Sequence, residues 1–98
     1  MIEFTINIDD KRTLKAGLRQ PLFNDYRYAM MELHKVESFV DTLAAGSSLI
    51  QHCWVEGDES LKTGNISEDP VIATAYASLC NQVYTELYIG FAIEVKKK

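Results

Sequence analysis

Apolar and polar positions alternate from the start of the chain. Ile2, Phe4, Ile6 and Ile8 are separated by Glu3, Thr5 and Asn7, a period-two pattern that predicts a strand over 2–8 with one buried face. Asp9 and Asp10 follow, residue types that end strands and cap helices by accepting the free amides of a first helical turn. The next segment predicts a short helix over about 10–19. Leu14 and Leu18 share one face of it, and Lys11, Lys15 and Arg19, spaced i, i+4, i+8, form a basic ridge on another. Gln20–Pro21 breaks this helix, and Pro21 suits the opening of the next.

The clearest periodicity comes after it. Tyr26, Ala29, Leu33, Val36, Val40, Leu43, Ser47, Ile50 and Trp54 are spaced alternately by three and four, the seam of a heptad repeat with Ser47 its one polar member. Its continuity predicts one long helix over about 22–55, closed at Gly57. Gly46 costs that helix about 1 kcal/mol relative to alanine; the alternative is a break at Gly46, with 49–55 a strand. Residues 56–69 show no apolar period and hold two glycines and five acidic residues, which predicts an acidic loop.

Glu68–Asp69–Pro70 reads as a helix start, and 70–88 as the second long helix. Ile72, Tyr76, Leu79, Val83 and Leu87 make one stripe; Ala77, Cys80, Tyr84, Tyr88 and Phe91 make the neighbouring one. Ile89, Phe91, Ile93 and Val95 then alternate with Gly90, Ala92 and Glu94, predicting a strand over 89–96, and Lys96–Lys98 form a basic tail. The expected fold class is α+β, mostly α. A single domain over 1–98 holds an antiparallel hairpin of two long helices, with the terminal strands 2–8 and 89–96 paired beside it. Two strands alone are marginal, so their apolar face must rest on helix.

A helix apolar over most of its circumference is central in a fold or sits at an interface. With 98 residues there is little other protein to cover it. The second helix therefore predicts self-association, most simply a dimer in which two hairpins form a four-helix bundle through Ile72, Tyr76, Leu79, Val83, Tyr84, Leu87 and Tyr88. The alternative is that the short helix and the terminal ribbon cover both stripes.

Composition adds exclusions. A hydrophobic fraction of 47% and a charged fraction of 24% are ordinary for a globular domain and too apolar for disorder. No run of about 18 apolar residues marks a membrane span. The opening residues lack the basic start and apolar block of an export leader, so the expected location is the cytoplasm, with Cys53 and Cys80 free and packed as small hydrophobes. Asn65–Ser67 then matches a glycosylation sequon by chance. Net charge is −4, concentrated in 28–70, where Lys35 and Lys62 face eight carboxylates. That excess opposes direct nucleic-acid binding. It suits either a basic protein partner, met by Glu56, Asp58, Glu59, Glu68 and Asp69, or plain solubility.

Candidate chemistry is sparse. His34, Glu37 and Asp41 share a helix face, but a metal site also needs ligands from a partner helix, and the second helix offers only Glu86. His52 and Cys53 are adjacent, and neighbours on a helix point about 100° apart, so they do not pair as base and nucleophile. No GxSxG, P-loop, GxGxxG or HExxH is present, and neither catalytic residue, metal nor cofactor is assigned. Ala44–Ser48 is a run of five small residues, suited to a close helix crossing or to a ligand groove.

The leading expectation is a small non-enzymatic interaction protein, of inhibitor or adaptor type, that binds itself through its helices and a protein partner through the acidic loop. The alternative is an oligomeric binder of a small anionic or nucleotide-like ligand. Lys11, Lys15, Arg19, Arg27 and Tyr26 would then meet that ligand at a subunit interface.

Overall fold

The computed structural model describes residues 1–33 and 39–91, the side chains of Phe39 and Val40 excepted. Strands β1 (Ile2–Asn7) and β2 (Thr13–Leu18) form an antiparallel hairpin. Asp9 shapes its turn: Oδ1 accepts the Lys11 and Arg12 amides at 2.8 Å each, and Oδ2 accepts from Arg12 Nε at 3.1 Å. This is the capping chemistry expected of Asp9, amides two and three residues ahead, but here it reverses the chain. The predicted helix over 10–19 is therefore corrected to a strand. Leu14 and Leu18 fit a helical face, but Leu14, Ala16 and Leu18 fit a strand face equally well. Pairing with β1 sets Ala16 opposite Phe4 and Leu18 opposite Ile2, burying Phe4, Ala16 and Leu18. A short isolated helix has no comparable gain.

Helices α1 (Phe23–Leu33) and α2 (Phe39–Cys53) replace the single long helix predicted over 22–55. In one straight helix Tyr28 and His52 would lie about 36 Å apart. Their rings instead stack at 5.0 Å, 8° from parallel, so the start of α1 lies beside the end of α2 and the two helices are antiparallel. The heptad seam survives the reversal: Tyr26, Ala29 and Ile50 are buried, and Leu33, Leu43 and Trp54 pack against the core. Both halves of the seam face one core from opposite directions, which a linear pattern cannot distinguish from one continuous rod.

The helix gives way to strand β3 (Trp54–Gly57), which pairs antiparallel with β2 to complete a sheet of order β1-β2-β3. The expected strand alternative for 49–55 thus holds only from Trp54 onward. Gly57 has a φ of 139°, and a Cβ there would lie 2.4 Å from the Lys15 carbonyl oxygen, so only glycine lets β3 end against β2. The predicted loop 56–69 is partly ordered into the short helix α3 (Glu59–Lys62) and a 3₁₀ turn over Gly64–Ile66.

Helix α4 (Pro70–Val83) starts where predicted, with Asp69 Oδ1 accepting the Val71 amide at 2.9 Å. It continues as a π-helical stretch over Tyr84–Ile89 and stays helical to Phe91. The strand predicted over 89–96 is corrected for 89–91; its remainder and the basic tail 96–98 lie outside the described residues. β1 pairs with β2, and the expected pairing of β1 with residues 92–96 lies outside the described residues. The chain is nonetheless α+β, with a three-stranded antiparallel sheet and four helices among the described residues.

Candidate functional site

The helical core is closed by a tight crossing of α2 and α4. A Cβ on Gly46 would lie 2.1 Å from the Cys80 carbonyl oxygen. Of the two roles open to Ala44–Ser48, the structure shows the close crossing. One residue further along α2, Ser47 Oγ and Tyr76 Oη hydrogen bond at 2.6 Å, and Gln51 Nε2 donates to the same hydroxyl at 3.3 Å.

That crossing decides the fate of the predicted dimer interface. Tyr76, Leu79, Val83, Leu87 and Tyr88 are buried within the chain's own core, with Ile72 and Tyr84 half-buried. The area that α4 presents is taken up by α2, β1 and the 57–69 segment. A second copy has no access to most of these side chains. The expectation rested on two long helices, where the described residues hold three, plus a central strand β2.

The residues considered for an anionic ligand do not converge. Lys11 lies exposed in the hairpin turn, and Lys15 lies on β2. Arg27 is exposed on α1. Tyr26 is buried, its ring stacked on Phe91 at 3.9 Å and its hydroxyl accepting from Gln20 Nε2 at 3.3 Å. Arg19 is committed to structure: it donates to Asp25 at 2.7 and 3.3 Å and to the His52 carbonyl at 2.8 Å. Asp25 also accepts the Leu22 amide at 2.7 Å. One ion pair therefore fastens the end of β2 to the start of α1 and the end of α2. The Arg19 guanidinium holds the Asp25 carboxyl below its ordinary range against the opposing effect of burial.

Two of the five acidic residues assigned to a partner are also structural. Asp58 Oδ2 accepts the Lys15 amide at 2.6 Å, and the Asp58 amide donates back to the Lys15 carbonyl at 2.8 Å. Asp69 caps α4. Glu56, Glu59 and Glu68 are exposed, with no hydrogen bond to their carboxylates among the described residues.

The residues weighed for nucleophile and metal chemistry are placed only in part. Cys53 and Cys80 are free and buried, and burial pushes their thiols up to about 11 and about 12, away from reactive thiolate. His34 and Glu37 lie outside the described residues, and Asp41 is buried in the first turn of α2. Among the described residues no group of three or more His, Cys, Asp or Glu could hold a metal ion, and no helix is long and apolar enough to cross a membrane.

What the fold does expose is apolar. Phe23, Met30 and Met31 are 71%, 40% and 55% exposed on α1, and Leu22, just ahead of it, is 67% exposed. At 100° per residue, Phe23, Arg27, Met30 and Met31 fall within about 100° of the circumference. Asp25, Tyr26 and Ala29, the buried residues of α1, occupy the opposite side. The sequence displayed this second face, but the strength of the heptad seam concealed it. Comparison of the chain with protein-family models, with curated proteins and with solved structures finds no match.

Proposed function

We propose that this protein is a small non-enzymatic interaction module that self-associates, with the outward face of α1 as its contact surface. One observation carries the proposal: α1 is apolar on both sides, and its outward side exposes Phe23, Met30 and Met31 around Arg27. A surface helix with a wet apolar face opposite its core face belongs at an interface. Methionine suits such a surface because its flexible thioether adapts to the partner. An inhibitor or adaptor role toward a basic protein would use Glu56, Glu59 and Glu68, whose exposed carboxylates accept no hydrogen bond among the described residues.

Sedimentation velocity tests the contact. The chain at tens of micromolar should sediment as a dimer or larger species, and Phe23→Ser with Met31→Lys should convert it to monomer with an unchanged circular dichroism spectrum. A monomeric wild type, or a doubly substituted chain that stays associated, would overturn the α1 contact.

A further inference from the structure

The outward face of α1 carries one charge. Arg27 is exposed and makes no ion pair or hydrogen bond among the described residues. The two carboxylates of the helix do not share its face. Asp25 is buried and paired with Arg19, and Glu32 is half-buried with an interaction of its own. At 100° per residue both lie on the side opposite Phe23. Around Arg27 the face is apolar, and its two ends differ. Phe23 stands one turn before Arg27, and Met30 and Met31 stand one turn after it. A thioether against an aromatic ring is a favourable contact. Two α1 helices packed antiparallel about a two-fold axis satisfy both ends at once when Arg27 lies on the axis. Phe23 of each copy is then level with Met31 of the other, because each is four residues, about 6 Å, from Arg27. Sliding the helices by one turn carries either Met31 past the start of the facing helix or Phe23 past Leu33.

That register sets Arg27 against its own copy. We propose that the two Arg27 guanidiniums bind one small dianionic oxyanion of the phosphate class on the two-fold axis. Packed helices lie about 8–10 Å apart, so two guanidiniums at one level can both reach a single ion. No exposed carboxylate of α1 neutralises them. A dianion does, and each planar fork can hold it through two hydrogen bonds. Within one chain Lys11, Lys15 and Arg27 do not converge; a two-fold axis makes Arg27 converge with itself. The chain's own residues 92–98 hold one carboxylate against three lysines, so charge opposes their lying on the same face. The site rests on the α1 contact proposed above and supplies its regulation. With the anion the copies are tied together; without it, like charges oppose the apolar contact.

The test is sedimentation velocity of the full chain in millimolar inorganic phosphate, in phenyl phosphate and in sodium chloride, all at equal ionic strength and neutral pH. Phosphate should tighten the dimer about tenfold relative to chloride. Arg27→Gln should associate in chloride at least as tightly as wild type and gain nothing from phosphate. A greater gain from phosphate than from phenyl phosphate supports the site and assigns it to the free ion; the reverse supports it and assigns a phosphate ester. An equal gain in Arg27→Gln would mean that the salt acts on apolar surface at large, and overturns the site. Equal association of wild type in phosphate and chloride also overturns it and leaves the α1 contact standing. A chain monomeric in all three salts overturns the α1 contact and the site with it. The register has its own check. Arg27→Cys should cross-link to its copy under oxidised glutathione much faster than Leu22→Cys, whose two positions would stand about 15 Å apart along the axis. Equal rates would overturn the placement of Arg27 on the axis.

Discussion

Arg19 shows how one side chain is redirected by its surroundings. In the sequence it closes a basic ridge; in the fold it joins three elements through Asp25 and the His52 carbonyl. The Asp25 side chain is only 8% exposed, while that of Arg19 is 41% exposed, so solvent screens the pair from one side. Arg19→Met should lower the urea denaturation midpoint at pH 7, by less than the loss of a fully buried pair would. The pH dependence follows from the sign of the Asp25 shift. Its folded pKa is depressed, so its contribution is present above about pH 4 and lost as pH falls through the folded value. The gap between wild type and Arg19→Met should therefore shrink below pH 4. An equal gap at pH 7 and pH 3 would assign the loss to the methylene stem of Arg19 and not to its charge.

Among the elements, the crossing of α2 and α4 sets the tightest requirement. Gly46 lowers helix propensity, yet a Cβ there meets the Cys80 carbonyl oxygen at 2.1 Å and the carbonyl carbon at 2.8 Å. Gly46→Ala gains about 1 kcal/mol of propensity, but the helices must separate and break the bond between Ser47 and Tyr76. A net loss of about 2 kcal/mol is expected from overpacking of this kind. Gly90→Ala is the matched control. Its backbone is helical and nothing lies within 4 Å of a Cβ there, so it should be neutral or stabilise by up to about 1 kcal/mol. Denaturation midpoints of the two variants moving the same way would contradict the crossing geometry. Hairpin and helix also compete at this scale. Asp9 accepts the amides of Lys11 and Arg12 whether the chain enters a helix or a turn, and the choice falls to what Leu14, Ala16 and Leu18 can pack against.

Over the whole molecule, the two thiols report the integrity of the core. Cys53 and Cys80 are held up at about 11 and about 12 by burial, against an ordinary 9.0. A raised pKa contributes stability that is present below the unfolded value and lost as pH rises through the folded one. Stability should accordingly fall between pH 9 and 12, with Tyr26, Tyr76 and Tyr88, also raised by burial, adding to the loss above pH 10. A thiol reagent at pH 8 should find both cysteines unreactive until denaturant is added. Rapid reaction of either in the native chain would place it nearer the surface than the fold does.

The period-two run of β1, the start of α4 at Asp69–Pro70 and the buried character of both cysteines were legible in the sequence, because each depends on residues close together in the chain. The mainly helical α+β class was legible for the same reason. Segment 13–18 was not, since Leu14, Ala16 and Leu18 suit either period and only pairing with β1 chooses between them. Nor was the reversal between α1 and α2, because a seam folded onto one core keeps its phase. The dimer surface expected on Tyr76, Leu79, Val83, Leu87 and Tyr88 rested on the same reading: without a third helix, the apolar area of α4 had nothing to cover it. Local pattern determined which residues are apolar and where helices can begin. Tertiary structure alone decided which apolar face is spent on the core and which, on α1, is left to solvent, because burial is settled by what the rest of the chain brings alongside.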